Sequence, residues 1–275
     1  MMNNVTYNVS FPGLGIDLKI NPIAFQCPGI KIYWYGIIIS IGFLLAYSYI
    51  ESRKKDFGFN SNDISNFTII PSFIAIICAR IYYIIFYPGD FYLKNPSEIF
   101  KISHGGIAIY GAIIGGILSL VIISKVKKKN ILSVLDLMSL GVIIGQCIGR
   151  WGNFVNQEAF GSETTLPWGM CSENTGFKTV HPCFLYESLG CLVCFLILHF
   201  ISKKKDLSKG NIFALYLLLY SLLRAIIEFF RTDSLLIPGT SLKVSFVLSL
   251  LLSASSLSYI LIKKTKKHCS IKMQC

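Results

Sequence analysis

Seven long apolar runs, separated by polar stretches, set the pattern of this chain. They cover approximately residues 33–50, 67–87, 105–124, 132–149, 183–201, 211–230 and 244–262. An α-helix rises about 1.5 Å per residue, so runs of this length cross roughly 30 Å of hydrocarbon. The pattern therefore predicts an all-α, polytopic protein of seven transmembrane helices, with residues 1–275 in a single membrane domain.

Two polar segments stand out between the runs. They are an N-terminal arm, 1–32, and a loop, 150–182, between the fourth and fifth runs. Apolar and polar residues are mixed along the arm, which suits a segment lying on the membrane surface, although a pair of surface strands would look similar. The arm has no basic start followed by an apolar stretch, so we expect no cleavable signal peptide.

Basic residues collect on one side of the predicted membrane. Sixteen lysines and arginines follow the first, third, fifth and seventh runs, at positions 53–55, 125–129, 203–209 and 263–272, against six lysines elsewhere. Cytoplasmic loops carry such an excess of Lys and Arg. We therefore expect an extracytoplasmic N-terminus, arm and 150–182 loop, and a cytoplasmic C-terminus.

The composition agrees with a bilayer location. Hydrophobic residues make up 53% of the chain and charged residues 15%, and the mean hydropathy is +0.59. The formal net charge of +12 could indicate nucleic-acid binding. The lysines directly follow apolar runs, however, so we interpret them as topology signals and expect no nucleic-acid partner.

The nine cysteines show no metal-binding pattern. No pair of CxxC motifs and no matching His spacing occur, so we expect neither a metal site nor a cofactor. Cys191 and Cys194 lie one helical turn apart in the fifth run and are interpreted as small core residues. Cys171 and Cys183 flank the extracytoplasmic loop, and we expect them not to form a disulfide.

Charged residues also occur within or at the ends of the runs, where a charge costs on the order of 3 kcal/mol. They are Arg80 in the second run, Arg150 at the end of the fourth, Glu187 in the fifth, and Arg224, Glu228 and Arg231 in or after the sixth. Tyr220 shares one helical face with Arg224 and Glu228, at i, i+4 and i+8.

These charges have two interpretations. Arg224 and Glu228 would neutralise each other as an i,i+4 pair. Alternatively, the second, fourth, fifth and sixth spans surround one cavity in which arginines outnumber carboxylates. Such a cavity favours an anion, and a phospholipid headgroup is the natural anion at that depth because the guanidinium fork binds phosphate in two places.

The strongest motif is GRWGNFVNQEAFG, residues 149–161. It places Arg150, Asn153, Asn156 and Glu158 close together, between glycines that let the backbone leave a helix and turn back. We interpret it as a cluster that holds a headgroup and reactive groups. A second motif, HPCFLYE, opens the fifth run, and His181 in it suits a helix cap and a site residue equally.

Small residues mark the third run. Gly111 and Gly115 have the small-xxx-small spacing that lets helix backbones approach closely. Tight packing is one interpretation of this spacing. A lipid-sized groove beside the helix is the other.

Taken together, these motifs resemble the prolipoprotein diacylglyceryl transferase family. The resemblance covers nearly the whole chain: NPIAF and IYWYG before and in the first run, ARIYYIIF in the second, HGGIAIYGAIIGG, the GRxGNFxNxE signature, HPxxLYE and YSLLRAIIEFFR. It implies an enzyme of the bacterial plasma membrane that moves diacylglycerol from phosphatidylglycerol to the lipobox cysteine of a prolipoprotein peptide, with release of glycerol phosphate.

The resemblance also implies roles for particular residues. Positions that the family uses for catalysis or lipid binding are occupied here by Tyr35, Arg150, Asn153, Glu158, Gly161, Tyr220, Arg224 and Glu228. Tyr110 stands where many members have a functional histidine, and His104 aligns with a different position. Our candidate catalytic residues are Arg150, Arg224, Tyr110, Glu158 and Tyr35. Our candidate binding residues are Asn153, Asn156, Gly161, Tyr220, Glu228, His181, Arg80 and His104.

The expected reaction is attack of the substrate thiolate on the glyceryl carbon that bears the phosphate ester. Arg150 and Arg224 would stabilise the departing phosphate. Three groups stay open as the proton acceptor: Tyr110, Glu158 and a phosphate oxygen of the lipid. The rival functions are a lipid or anion transporter that uses the same arginines, and a structural scaffold.

Overall fold

The computed structural model describes residues 6–27, 30–101, 105–204, 208–237 and 239–272, with side chains described as far as residue 265. Its helices are α1 (Trp34–Arg53), α2 (Ser61–Ile85), the short α3 (Phe91–Lys94), α4 (Ile109–Val126), α5 (Ile131–Asn156), α6 (Cys183–Ser202), α7 (Asn211–Phe230) and α8 (Val244–Lys272). Within these ranges, all but α3 are long and apolar enough to cross a membrane. The prediction of seven spanning helices is confirmed.

Two helices begin away from their predicted starts for local reasons. Helix α2 starts six residues before the apolar run because Asn60 and Asp63 form a capping box: the Asn60 side chain accepts from the Asp63 amide at 2.8 Å, and Asp63 accepts from the Asn60 amide at 3.2 Å. Helix α4 starts four residues late because Gly105 and Gly106 have φ values of +84° and +80°, which a right-handed helix cannot contain.

The loop after α5 was predicted to begin at residue 150, but it begins later because α5 is longer than the apolar run. The helix continues through Asn156, and the chain leaves it at Gln157 and Ala159, whose φ values are +53° and +58°. Gly152 lies inside the helix and not at a turn. A Cβ there would come within 2.7 Å of the Tyr35 ring, so this glycine allows a close approach and does not end the helix.

The arm contains strands, the second of the two structures that its sequence allowed. Strand β1 (Tyr7–Phe11) pairs antiparallel with β2 (Ile16–Ile20) and with β5 (Cys171–Ser172), in the order β2-β1-β5. Strand β3 (Ile23–Cys27) pairs antiparallel with β4 (Ile30–Tyr33). The chain is therefore mostly, not wholly, helical, and the arm is joined to the loop after α5.

A small apolar core lies beneath this sheet. Val9, Met170, Val180 and Phe184 are buried together, and Phe154 of α5 stacks on Phe184 with ring centroids 4.6 Å apart. The core connects strand β1 to the loop and to the first turn of α6. Cys171 and Cys183 are free thiols, and Cys191 and Cys194 are buried.

The chain divides into two compact units. The first comprises 1–48 and 139–275, and in it α7 packs against α6 and α8. The second comprises 49–138, in which α4 packs on α2. A Cβ on Gly115 would lie 2.5 Å from the Cys78 Cβ, and one on Gly111 would lie 2.5 Å from the Tyr82 Cβ. The small residues thus serve close helix packing, and a lipid groove beside Gly111 and Gly115 is wrong.

Candidate active site

A buried carboxylate, Glu187 in α6, joins three helices of the first unit. The residue is 1% exposed. Arg150 Nη2 of α5 lies 2.6 Å from Glu187 Oε1, and Arg224 Nη1 of α7 lies 3.2 Å from Oε2. The Tyr220 hydroxyl donates to Oε1 at 3.0 Å. One carboxylate therefore sets the separation of two guanidiniums that come from different helices.

Helix α7 adds a second carboxylate. Its i, i+4, i+8 spacing places Tyr220, Arg224 and Glu228 on one face, and Arg224 Nη2 lies 2.6 Å from Glu228 Oε2. Glu228 is 1% exposed, and neither of its oxygens has an aligned hydrogen bond from the described residues. The i,i+4 ion pair between Arg224 and Glu228, which was one of the two interpretations, is present, but it is part of a larger network. Arg150 and Arg224 meet two carboxylates, Glu187 and Glu228, so these contacts hold no excess of arginines. The excess expected for a cavity of four spans stays a prediction.

The signature motif extends the network towards the end of α5. Arg150 Nη1 donates to Asn153 Oδ1 at 3.3 Å, and Asn153 Nδ2 donates to Glu158 Oε1 at 2.9 Å. Asn156 Nδ2 also donates to Glu158 Oε1, at 3.4 Å. Polar contacts thus run without a break from buried Glu187 to exposed Glu158.

Tyr35 joins the same cluster from the start of α1. Its ring fills the space that a side chain at position 152 would need. The charges of Glu158 and Arg150 both act on its phenol. The structure therefore brings the predicted residues Tyr35, Arg150 and Glu158 together across a wide sequence separation.

Gly161 ties the start of α6 to the end of α7. Its amide donates to the His181 carbonyl at 2.9 Å, and the next amide, of Ser162, donates to the Phe230 carbonyl at 2.7 Å. A Cβ on Gly161 would lie 2.8 Å from the His181 Cβ and 2.9 Å from Cys183 Sγ. Only glycine fits here, because overpacking would separate the helices that carry the network.

His181 belongs to a separate hydrogen-bond chain at this junction. The Tyr186 hydroxyl accepts from Trp168 Nε1 at 2.8 Å and lies within hydrogen-bond distance of His181 Nδ1, at 3.1 Å. Partial burial lowers the pKa of His181. The lowered pKa favours the neutral form of the His181 imidazole.

Sequence reasoning noticed two charged residues without giving them a place in the site. Glu187 is the centre of the network, and its signal was a carboxylate at membrane depth in the HPCFLYE motif. Arg231 follows α7 and binds Asp233 through two hydrogen bonds, of 2.9 and 2.7 Å. Burial by itself would lower the pKa of Arg231, but the bonds to Asp233 outweigh it and raise that pKa.

Comparison with known proteins identifies the family. The family model for prolipoprotein diacylglyceryl transferase matches residues 22–262. A Finegoldia magna protein named phosphatidylglycerol–prolipoprotein diacylglyceryl transferase is 42% identical over 228 residues, 83% of this chain and 90% of that protein. Proteins of the same name from Listeria monocytogenes serotype 4a and Limosilactobacillus reuteri are 42% and 39% identical, over 93% and 92% of this chain and 94% of each relative.

This chain belongs to the prolipoprotein diacylglyceryl transferase family. As a member of that family it is a membrane transferase. The resemblance found in the sequence motifs is confirmed. The rival transporter and scaffold functions find no support among the relatives.

Most of the residues predicted for this transferase lie together in the first unit. The network consists of Arg150, Asn153, Asn156, Glu158, Tyr220, Arg224 and Glu228 around Glu187. Tyr35 packs beside it against Gly152, and Gly161 and His181 form the adjacent junction. Among the described residues, no group of three or more His, Cys, Asp or Glu side chains could hold a metal ion.

The other predicted residues fall in the second unit or outside the described ranges. Tyr110 is the second residue of α4, and its ring centroid lies 6.4 Å from that of Tyr82. Arg80 donates to backbone carbonyls of the connection between α2 and α4. His104 lies outside the described residues. Substrate roles for these three residues stay predictions.

Proposed function

We propose that this chain transfers the diacylglyceryl group of phosphatidylglycerol to the cysteine thiol of a prolipoprotein, with Arg150 and Arg224 binding the lipid phosphate. Family membership supports the reaction, because the relatives are named for these two substrates. The observation that carries the residue assignment is the convergence of both guanidiniums on the two oxygens of Glu187.

The substrate thiolate attacks the glyceryl carbon that is esterified to phosphate. A carbon–sulfur bond forms, the carbon–oxygen bond to phosphate breaks, and the electron pair leaves with glycerol phosphate. Negative charge on the phosphate grows as that bond breaks, so fixed cations lower the barrier. The thiol proton must go to a base, because the thiolate is the nucleophile.

Both arginines keep donors for this task. A guanidinium has five N–H donors. Glu187 accepts one from each arginine, Asn153 accepts a second from Arg150, and Nη2 of Arg224 lies against Glu228 Oε2. Glu187 also screens the repulsion between the two cations, which allows them to stay close before the lipid binds. The network is therefore preorganised for one phosphate.

Glu158 is the base that we propose. It is exposed, and two Asn amides orient the same carboxylate oxygen. Among the described residues it has no ion-pair partner, which leaves its second oxygen available for a proton. Tyr110 and a phosphate oxygen are the competing acceptors. Glu158→Gln would then lower kcat far more than Tyr110→Phe, whereas the reverse order would favour Tyr110.

The lysine pattern supports an orientation for this chemistry. The N-terminus lies outside the cell and the C-terminus lies in the cytoplasm. The junction of α5, α6 and α7 that carries the network then faces the outer leaflet, as do the strands β1, β2 and β5. Phosphatidylglycerol and the lipobox peptide would meet there.

The direct test measures product on a lipobox peptide by mass spectrometry, with phosphatidylglycerol as the donor. We expect Arg150→Gln and Arg224→Gln each to lower the rate by about 10²-fold or more, the scale of one lost transition-state contact. Arg53→Gln is the control, because Arg53 pairs with Asp56 outside the network. Wild-type rates in both network variants would refute the phosphate role.

A further inference from the structure

The guanidinium of Arg80 is enclosed by the connection between α2 and α4. Arg80 is 5% exposed. Its Nε donates to the Ile99 carbonyl at 3.0 Å, Nη1 to the Gly105 and Gly106 carbonyls at 2.6 and 2.9 Å, and Nη2 to the Glu98 and Lys101 carbonyls at 2.5 and 3.4 Å. All five N–H donors of the side chain thus have backbone acceptors.

Gly106 completes this enclosure. Its φ is +80°, and a Cβ would lie 2.5 Å from Arg80 Nη1 and 2.7 Å from Cε1 of Tyr83. The Tyr92 ring covers the guanidinium, with Arg80 Cζ 5.3 Å from the ring centroid. Among the described residues, no carboxylate pairs with Arg80. Carbonyl dipoles and an aromatic face therefore stabilise its charge.

The enclosure lies directly before α4. The Ala108 amide donates to the Ala79 carbonyl at 3.1 Å, so the entry to α4 is also bonded to the residue that precedes Arg80. Helix α4 begins at Ile109, and Tyr110 is its second residue. The bonds to Gly105 and Gly106 thus fix the backbone only a few residues from Tyr110.

We propose that Arg80 is a positioning residue that fixes the entry of α4, and with it Tyr110. It is not a ligand of the lipid headgroup. A lysine cannot replace it, because one ammonium cannot reach both the 98–101 carbonyls and the 105–106 carbonyls as a planar fork does. The consequence for catalysis rests on the proposed function, whereas the anchoring itself does not.

Hydrogen–deuterium exchange of the full chain in phosphatidylglycerol nanodiscs tests the anchoring. Arg80→Lys and Gly106→Ala should each speed amide exchange in the 96–101 and 105–112 peptides about tenfold or more, since charge-assisted hydrogen bonds are lost or displaced. Gly105→Ala is the matched control, because Gly105 also has a positive φ, +84°, but a Cβ there meets nothing within 4 Å. Its amide exchange rates should remain closer to those of the wild type. Lys94→Met removes an exposed charge from the same connection and should change nothing.

Kinetics separate positioning from lipid binding. With phosphatidylglycerol as donor, Arg80→Lys and Gly106→Ala should lower kcat about tenfold, which is less than the loss expected for Glu158→Gln, and leave KM for the lipid within about threefold. The double variant should be no worse than the more severe single one, because both changes break one anchor. Wild-type exchange in Arg80→Lys, or a raised KM with unchanged exchange, would overturn the proposal. If the wild-type chain formed no thioether product, the proposed function would fail, and the exchange data would still decide the anchoring.

Discussion

Replacing Glu187 by Gln removes the negative charge on which two guanidiniums and one phenol converge. The three contacts are those of Arg150 at 2.6 Å, Arg224 at 3.2 Å and Tyr220 at 3.0 Å. A Gln amide keeps one acceptor oxygen, but it presents N–H donors where the second oxygen was. At least one guanidinium then loses its partner and meets a donor, so it turns out of position.

Two magnitudes follow for the Glu187→Gln variant. Removing one partner of a buried ion pair costs about 3–5 kcal/mol of stability, and Glu187 is 1% exposed. A misplaced transition-state contact costs about 2.7–4 kcal/mol in the barrier, so we expect kcat to fall about 10²- to 10³-fold. Glu187→Asp keeps the charge but shortens the side chain by one methylene, and a displacement of about 1 Å lowers rates about 10²-fold.

The assay uses mass spectrometry to measure the thioether product formed on a lipobox peptide. Thermal unfolding of the same samples measures the change in stability. Glu163→Gln is the matched control, because Glu163 is an exposed carboxylate that pairs with exposed Lys178. That surface pair contributes little, about 0–1 kcal/mol, so the control should behave as wild type. A folded Glu187→Gln enzyme with wild-type kcat would show that the shared carboxylate does not position the arginines.

Three further predictions concern other parts of the chain. Gly152→Ala should displace the Tyr35 ring and lower both kcat and stability, the latter by about 1–3 kcal/mol, as judged by turnover and thermal unfolding; an unchanged Tm would argue against the close approach. Burial by itself would raise the pKa of Asp233, but the ion pair with Arg231 outweighs it and lowers that pKa. The contribution of this pair to the free energy of unfolding is present above the unfolded pKa of about 3.9 and is lost as pH falls through the folded pKa. Asp233→Asn should therefore flatten the acid side of a stability–pH curve, and an identical curve would contradict the pair. With Cys27 and Cys171 replaced by Ser, so that the accessible native thiols of the arm and loop do not react, a membrane-impermeant maleimide should label Lys178→Cys but not Lys128→Cys in intact cells. The opposite pattern would reverse the proposed orientation.

Local features were readable from the residues alone. Seven spans follow from the length of apolar runs, because the bilayer thickness fixes how long a helix must be. The spacing of Arg150, Asn153 and Glu158 predicted a polar cluster, since residues a few positions apart share one end of a helix. The Gly111 and Gly115 spacing allowed either close packing or a lipid groove, and the close approach of α2 decided for packing.

Contacts between distant residues were decided by the tertiary structure. Glu187 was visible as a charge at membrane depth, but its two arginine partners each lie 37 residues away, in opposite directions along the chain. The pairing of strand β1 with residues 171–172, and the approach of Tyr35 to Gly152, are equally remote in sequence.

The difference has a physical cause. Hydropathy, helix capping and i,i+4 spacing act over a few residues, so the chain carries them wherever it folds. A buried carboxylate gains its partners only when separate helices pack, and the sequence contains no local signal for which arginines it will meet. The residues of this transferase thus specified its spans and its polar motif, whereas helix packing decided that Arg150 and Arg224 share Glu187.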